Sequence, residues 1–181
     1  MCYFLSRRVS VPPMVVTVAG LLLAGGVPAL CVPAGRWVFL AAGLVLLSGI
    51  LDNLDGAIAV LHDRGSRFGG VVDSLADRLA DTAYFLALWL LGAPGWLAGS
   101  AAGAAFLQEY LRARAESLAR MDIVTVSERP TRIILVAMLL LGCAILPGHA
   151  GRIATAGSAV GLAVGLFGIA QLVRYSRRVL S

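Results

Sequence analysis

Between Trp37 and Gly92 the chain reads WVFLAAGLVLLSGILDNLDGAIAVLHDRGSRFGGVVDSLADRLADTAYFLALWLLG. Two apolar runs flank the polar loop His62-Asp63-Arg64-Gly65-Ser66. About 20 mostly apolar residues cross the roughly 30 Å of a bilayer's hydrocarbon, so the stretch is expected to form an antiparallel pair of membrane helices. Five of the chain's ten acids lie inside these runs: Asp52, Asp55, Asp73, Asp77 and Asp81. An ionisable side chain within a span costs on the order of several kcal/mol unless it is paired, hydrated or metal-bound, which marks each acid as a functional candidate.

The rest of the chain agrees with this reading. Of 181 residues 59% are hydrophobic and 14% charged, against about 25% charged in a typical soluble domain, and the mean hydropathy is +0.88. That balance excludes a soluble globular enzyme, a disordered chain and a disulfide scaffold. It predicts an all-α polytopic membrane protein with one domain over residues 1–181. Six spans are expected, at about 13–34, 37–61, 69–92, 95–117, 131–147 and 153–173. Pro130 suits the first turn of the fifth, with Ser127 as its cap. The first run follows Arg7-Arg8 and has no small-x-small site near its end, so it reads as an uncleaved span.

Arginine placement sets the expected topology. All fifteen basic residues are Arg. With both termini in the cytoplasm, twelve lie inside (Arg7, Arg8, Arg64, Arg67, Arg112, Arg114, Arg120, Arg129, Arg132, Arg174, Arg177 and Arg178) and two outside, Arg36 and Arg152. Arg78 falls within the third span. This asymmetry follows the positive-inside rule and accounts for the net charge of +5 without a nucleic-acid partner. Cys2, Cys31 and Cys143 are scattered and have neither disulfide nor zinc spacing.

Spacing brings the acids together. Asp52 and Asp55 are three apart, and Asp73, Asp77 and Asp81 step by four, so each set shares a helix face. In an antiparallel pair, residues at equal depth average to the loop centre; Asp55 with Asp73 gives 64, and Asp52 with Asp77 gives 64.5. Four carboxylates then face one another a turn or two below the cytoplasmic surface. Hard oxygen donors of this kind suit Mg²⁺ or Mn²⁺, and four can hold two ions about 3.5–4 Å apart. Plain ion pairs with Arg64, Arg67 and Arg78 account for one or two of the acids but not four. The small residues Gly56, Ala57, Ala59, Gly69 and Gly70 serve close helix packing and clear space for a ligand.

These residues resemble the signature of the CDP-alcohol phosphotransferases, D-x-x-D-G-x-x-A-R-x8-G-x3-D-x3-D. Asp52, Asp55, Gly56, Ala59, Gly69, Asp73 and Asp77 match seven of its eight fixed positions at the right spacing, and the six-span layout agrees over nearly the whole chain. The eighth position, Arg in the family, is Val60 here. The resemblance implies a phospholipid-synthesising transferase that moves a phosphatidyl group from CDP-diacylglycerol to an alcohol and releases CMP, at the cytoplasmic face of the plasma membrane. It implies Asp52, Asp55, Asp73 and Asp77 as ligands of two Mg²⁺ or Mn²⁺ ions. Asp77 is also the general base on the acceptor hydroxyl, and Gly56, Ala59 and Gly69 are nucleotide contacts. A homodimer is implied as well.

For the acceptor, Tyr110–Glu116 and Glu128–Arg132 look like the matching stretches of phosphatidylinositol phosphate synthases, in which basic residues help to bind a phosphorylated inositol. Arg112, Arg114, Arg129 and Arg132 are the corresponding candidates; self-paired ions at helical spacing, such as Arg112–Glu116, are the competing explanation. Asp81 is expected to pair with Arg78 or to line the cavity. Three alternatives stand beside the leading one: a phosphatidylglycerophosphate-synthase type of acceptor, an inactive relative in which Val60 is the defect, and a cation transporter. The transporter predicts acids along a path across the bilayer, whereas these cluster near one face.

Overall fold

The computed structural model describes residues 13–61, 67–118 and 125–180; side chains at 13, 55–61, 67 and 180 lie outside that description. Among the described residues there are six α-helices and no strand: α1 (Pro13–Cys31), α2 (Trp37–Leu61), α3 (Arg67–Leu90), α4 (Gly95–Glu116), α5 (Arg129–Ile145) and α6 (Ala150–Leu180), with a 3₁₀ turn at Pro147–His149. By length and composition, Met14–Cys31, Trp37–Leu54 and Pro147–Val179 are apolar enough to cross a membrane. The ionisable residues of α3 and the small and polar ones of α4 dilute their hydropathy, and α5 has only 17 residues.

Helix boundaries follow local chemistry. Pro94 precedes α4 and Pro130 sits in the first turn of α5, where a missing N–H breaks no helical bond. The N-cap of α5 is Glu128 rather than Ser127, with no side-chain cap bond; the Ser127 carbonyl instead accepts from Arg132 and Gln108. α6 outruns its apolar stretch because Arg174, Arg177 and Arg178 prolong the helix, as good helix formers do.

The helices close a ring in the order α1, α2, α5, α6, α4, α3, with α3 also touching α6. One core runs through them, with Val27, Val45, Tyr84, Leu88, Val136 and Leu140 fully buried. Many large apolar side chains, Leu22, Trp96 and Met138 among them, face outward, as a bilayer-facing surface requires. The expected helical pair is modified: among the described residues α2 and α3 each pack on α1 more than on one another. Gly92, at φ +109°, turns the chain between α3 and α4, and a Cβ there would stand 3.0 Å from the Gly151 Cα.

Glycines on α6 let its neighbours approach. A Cβ at Gly161 would lie 3.1 Å from the Phe85 ring, and one at Gly165 would lie 3.1 Å from the Ala104 Cβ. At Gly168 it would fall 2.7 Å from Gln108 Oε1 and 2.8 Å from the Ser127 Cβ. Gln108 is fully buried and its amide donates to Thr125 Oγ1 (2.8 Å) and to the Ser127 carbonyl (3.1 Å), so it has no room to retreat. Gly168→Ala is therefore expected to destabilise the fold by about 1–3 kcal/mol, as overpacking does. Gly99→Ala, with nothing within 4 Å, should leave the melting temperature level or raise it. Equal melting of the two variants in detergent would mean that segment 125–128 yields freely.

Candidate metal centre

Asp52 on α2 and Asp73 and Asp77 on α3 converge where α1 and the start of α5 meet them. Each offers a carboxylate oxygen, and the three oxygens lie within 4.8 Å of one another. The helical step of four sets Asp73 and Asp77 on one face. α1 is held beside them by a hydrogen bond from Ser48 Oγ to the Gly20 carbonyl (2.8 Å), one turn before Asp52. Thr17 and Gly20 of α1, with Ala76 and Ala80 of α3, line a small cavity that Asp52, Asp77 and Arg129 also border.

The counter-charge comes from α5. Arg129 Nη1 pairs with Asp52 Oδ1 and lies 2.6 Å from Asp77 Oδ1. Arg129 is thus engaged by two carboxylates, while Asp73 Oδ1 is buried without a hydrogen-bond partner. One guanidinium against three carboxylates leaves an excess of negative charge that must be met by protons or cations. Three hard oxygen donors within reach of one another, with Asp73 Oδ1 buried and without a hydrogen-bond partner, fit a divalent cation of the Mg²⁺ or Mn²⁺ type.

Beside this cluster lies a second charged layer. Arg132 Nη2 donates to Asp81 Oδ2 (2.9 Å) on α3 and to Glu109 Oε1 (2.8 Å) on α4, while its Nη1 donates to the Ser127 carbonyl (2.5 Å). Asp81 thus pairs with Arg132 rather than Arg78, which instead approaches Glu109 at 3.7 Å. Arg112 donates to Glu128 Oε1 (2.9 Å) and Thr125 Oγ1 (3.1 Å), with Glu116 at 4.0 Å. The Val126 N–H donates to Gln171 Oε1 (3.2 Å). Gln108, Arg112 and Gln171 therefore clamp the segment that leads into Arg129, and so aim it.

Of the four arginine candidates, Arg129 reaches the carboxylates, Arg132 is buried in the second layer, and Arg112 stabilises segment 125–128. Arg114, two positions on and so on another face of α4, stays exposed and donates to its neighbour Ser117 Oγ (3.4 Å). The side chains of Asp55, Gly56, Ala59 and Val60 lie outside the described residues; Gly69 stands half-buried in the first turn of α3. Sequence reasoning passed over Gln108, Thr125 and Gln171. A lone Gln in the apolar stretch of α4 was the available signal.

The sequence profile of the CDP-alcohol phosphatidyltransferase family matches residues 10–170. An archaetidylinositol phosphate synthase from Methanothermobacter thermautotrophicus is 35% identical over 133 residues, covering 73% of this chain and 67% of that protein. A phosphatidylinositol phosphate synthase from Cutibacterium acnes is 37% identical over 147 residues, covering 76% and 70%. The crystal structure of Mycobacterium tuberculosis phosphatidylinositol phosphate synthase in complex with manganese and citrate superposes with a TM-score of 0.79 at 24% identity, over 97% of this chain and 88% of that one. The same enzyme with CDP-DAG bound gives 0.75 over 97% and 93%. These two likenesses are likenesses of fold.

Proposed function

The chain belongs to the CDP-alcohol phosphatidyltransferase family, and from that premise we propose that this multi-pass membrane transferase moves a phosphatidyl group from CDP-diacylglycerol to a phosphorylated polyol, inositol phosphate above all. The single observation that carries the reading is the convergence of Asp52, Asp73 and Asp77 with Arg129 against them. Carboxylates for cations beside a guanidinium for an anionic group are what two phosphate-bearing substrates require. Its similarity to an archaetidylinositol phosphate synthase and a phosphatidylinositol phosphate synthase supports the acceptor class.

In this reading two Mg²⁺ or Mn²⁺ ions, held by Asp52, Asp55, Asp73 and Asp77, supply charge neutralisation at the pyrophosphate. Asp77 accepts the proton of the acceptor hydroxyl, which needs direct hydrogen-bond reach. The freed oxygen attacks the phosphorus that bears the diacylglycerol, the bond from that phosphorus to the bridging oxygen breaks, and CMP leaves with the electron pair. Gly56, Ala59 and Gly69 leave room for the nucleotide. Arg129 orients the acceptor phosphate through its planar fork, and Arg112 and Arg132 hold Arg129 in place through segment 125–128 and α5. Six spans, both termini in the cytoplasm, a plasma-membrane location with the site at the cytoplasmic face, and a homodimer complete the proposal; the arginine asymmetry supports the orientation.

Detergent-purified protein supplied with CDP-diacylglycerol should release CMP with inositol phosphate, and not with inositol, serine or glycerol phosphate. Release should stop when the divalent cation is chelated and return with Mg²⁺ or Mn²⁺. Preference for glycerol phosphate would move the acceptor assignment to the phosphatidylglycerophosphate type. Silence across the panel in folded protein would point to Val60 and an inactive relative.

A further inference from the structure

α5 opens on Arg129 with no side-chain N-cap bond of its own. What fixes its start is the turn before it, and that turn is held by α4 and α6. Thr125 and Ser127 are 3% and 1% exposed, and Gln108 beside them is fully buried. Thr125 Oγ1 accepts two hydrogen bonds from α4, one from Gln108 Nε2 (2.8 Å) and one from Arg112 Nη2 (3.1 Å). The Thr125 N–H donates to Glu128 Oε1 (3.1 Å), which closes the turn immediately before Arg129. On the α6 side the Val126 N–H donates to Gln171 Oε1 (3.2 Å). A hydroxyl that gathers two donors in a dry site acts as a joint, because a buried donor such as Gln108 has no water to turn to when that oxygen is lost.

We propose that Thr125 is a positioning residue for the anionic acceptor: its hydroxyl locks turn 125–128 onto α4 and so presents the Arg129 guanidinium to the acceptor phosphate. This rests on the reading of Arg129 as the acceptor-phosphate ligand and deepens it. A planar guanidinium fork recognises a phosphate through its orientation. Fixing that orientation in advance spares the acceptor the cost of ordering the group on binding. Thr125 touches no substrate in this account. It acts through four residues of backbone, on acceptor affinity and not on proton transfer to Asp77.

The test is equilibrium dialysis of inositol phosphate, and separately of CMP, against the detergent-purified full chain with Mn²⁺, beside thermal melting. Thr125→Val keeps the shape without the hydroxyl. It should weaken inositol phosphate about tenfold, the worth of roughly one net hydrogen bond, and leave CMP within about twofold. Thr125→Ser, which restores the hydroxyl, should bind both ligands within about twofold of the parent. Gln171→Met frees the turn from α6 and should weaken inositol phosphate about threefold without moving CMP; it carries the test if Thr125→Val fails to fold. Equal weakening of both ligands, or Thr125→Ser binding as poorly as Thr125→Val, would make the hydroxyl merely structural and overturn the proposal. Arg129→Lys separates the two ways of failing. If it binds inositol phosphate as the parent does, or if the parent binds CMP alone, the acceptor reading falls and the lock with it. If Arg129→Lys binds poorly while Thr125→Val and Gln171→Met bind as the parent does, the lock alone falls.

Discussion

Asp77→Asn is expected to lower CMP release by about 10²–10⁴-fold, the range over which a positioned general base contributes. The amide keeps the shape of the carboxylate but cannot take the acceptor proton. Asp77 also lies 2.6 Å from Arg129, yet Arg129 retains its pair with Asp52, so the fold should survive with a melting temperature near that of the parent. The measurement is single-turnover CMP release at saturating acceptor, beside thermal melting of the same preparation. Turnover within threefold of the parent would remove Asp77 from the base role. Lost turnover together with collapsed melting would make its role structural.

Arg132→Gln should have the largest effect on stability. The Arg132 and Asp81 side chains are each 7% exposed and face each other at 2.9 Å, with Glu109 2.8 Å from the same nitrogen. Removing one member of a buried pair leaves an uncompensated charge and costs about 3–5 kcal/mol. For a chain of this size that lowers the melting temperature by roughly 10 °C. A double variant with Asp81→Asn should lose clearly less than the sum of the single losses, because the partner left bare in each single variant is then neutral. Strict additivity would mean that the two side chains do not act as a pair. Unchanged melting of Arg132→Gln would free Arg132 to be a substrate ligand.

The two layers of charge differ in how far they could be read in advance. Helical steps of three and four place Asp52 with Asp55 and Asp73 with Asp77 on single faces, and the loop-centred average sets Asp52 level with Asp77. That logic works because a helix imposes a fixed periodicity on its side chains. It is silent on the third dimension. Asp81 has Arg78 three residues before it, a pairing that spacing favours, but the structure joins it to Arg132, fifty-one positions away. Arg112 and Arg114 are near neighbours in the chain, yet Arg112 reaches segment 125–128 and Arg114 stays exposed beside Ser117.

Composition, apolar run length and arginine asymmetry by themselves determined an all-helical chain with half of its acids gathered in the second and third helices, because transfer to hydrocarbon depends on residue type and run length alone. The tertiary structure decided that α1 packs against both acid-bearing helices. It also decided that Arg129 enters their carboxylate cluster while Arg132 is spent on Asp81 and Glu109. Those outcomes depend on which helices become neighbours, and that is settled by close packing at small residues such as Gly20, Gly161 and Gly165, which no one-dimensional spacing specifies.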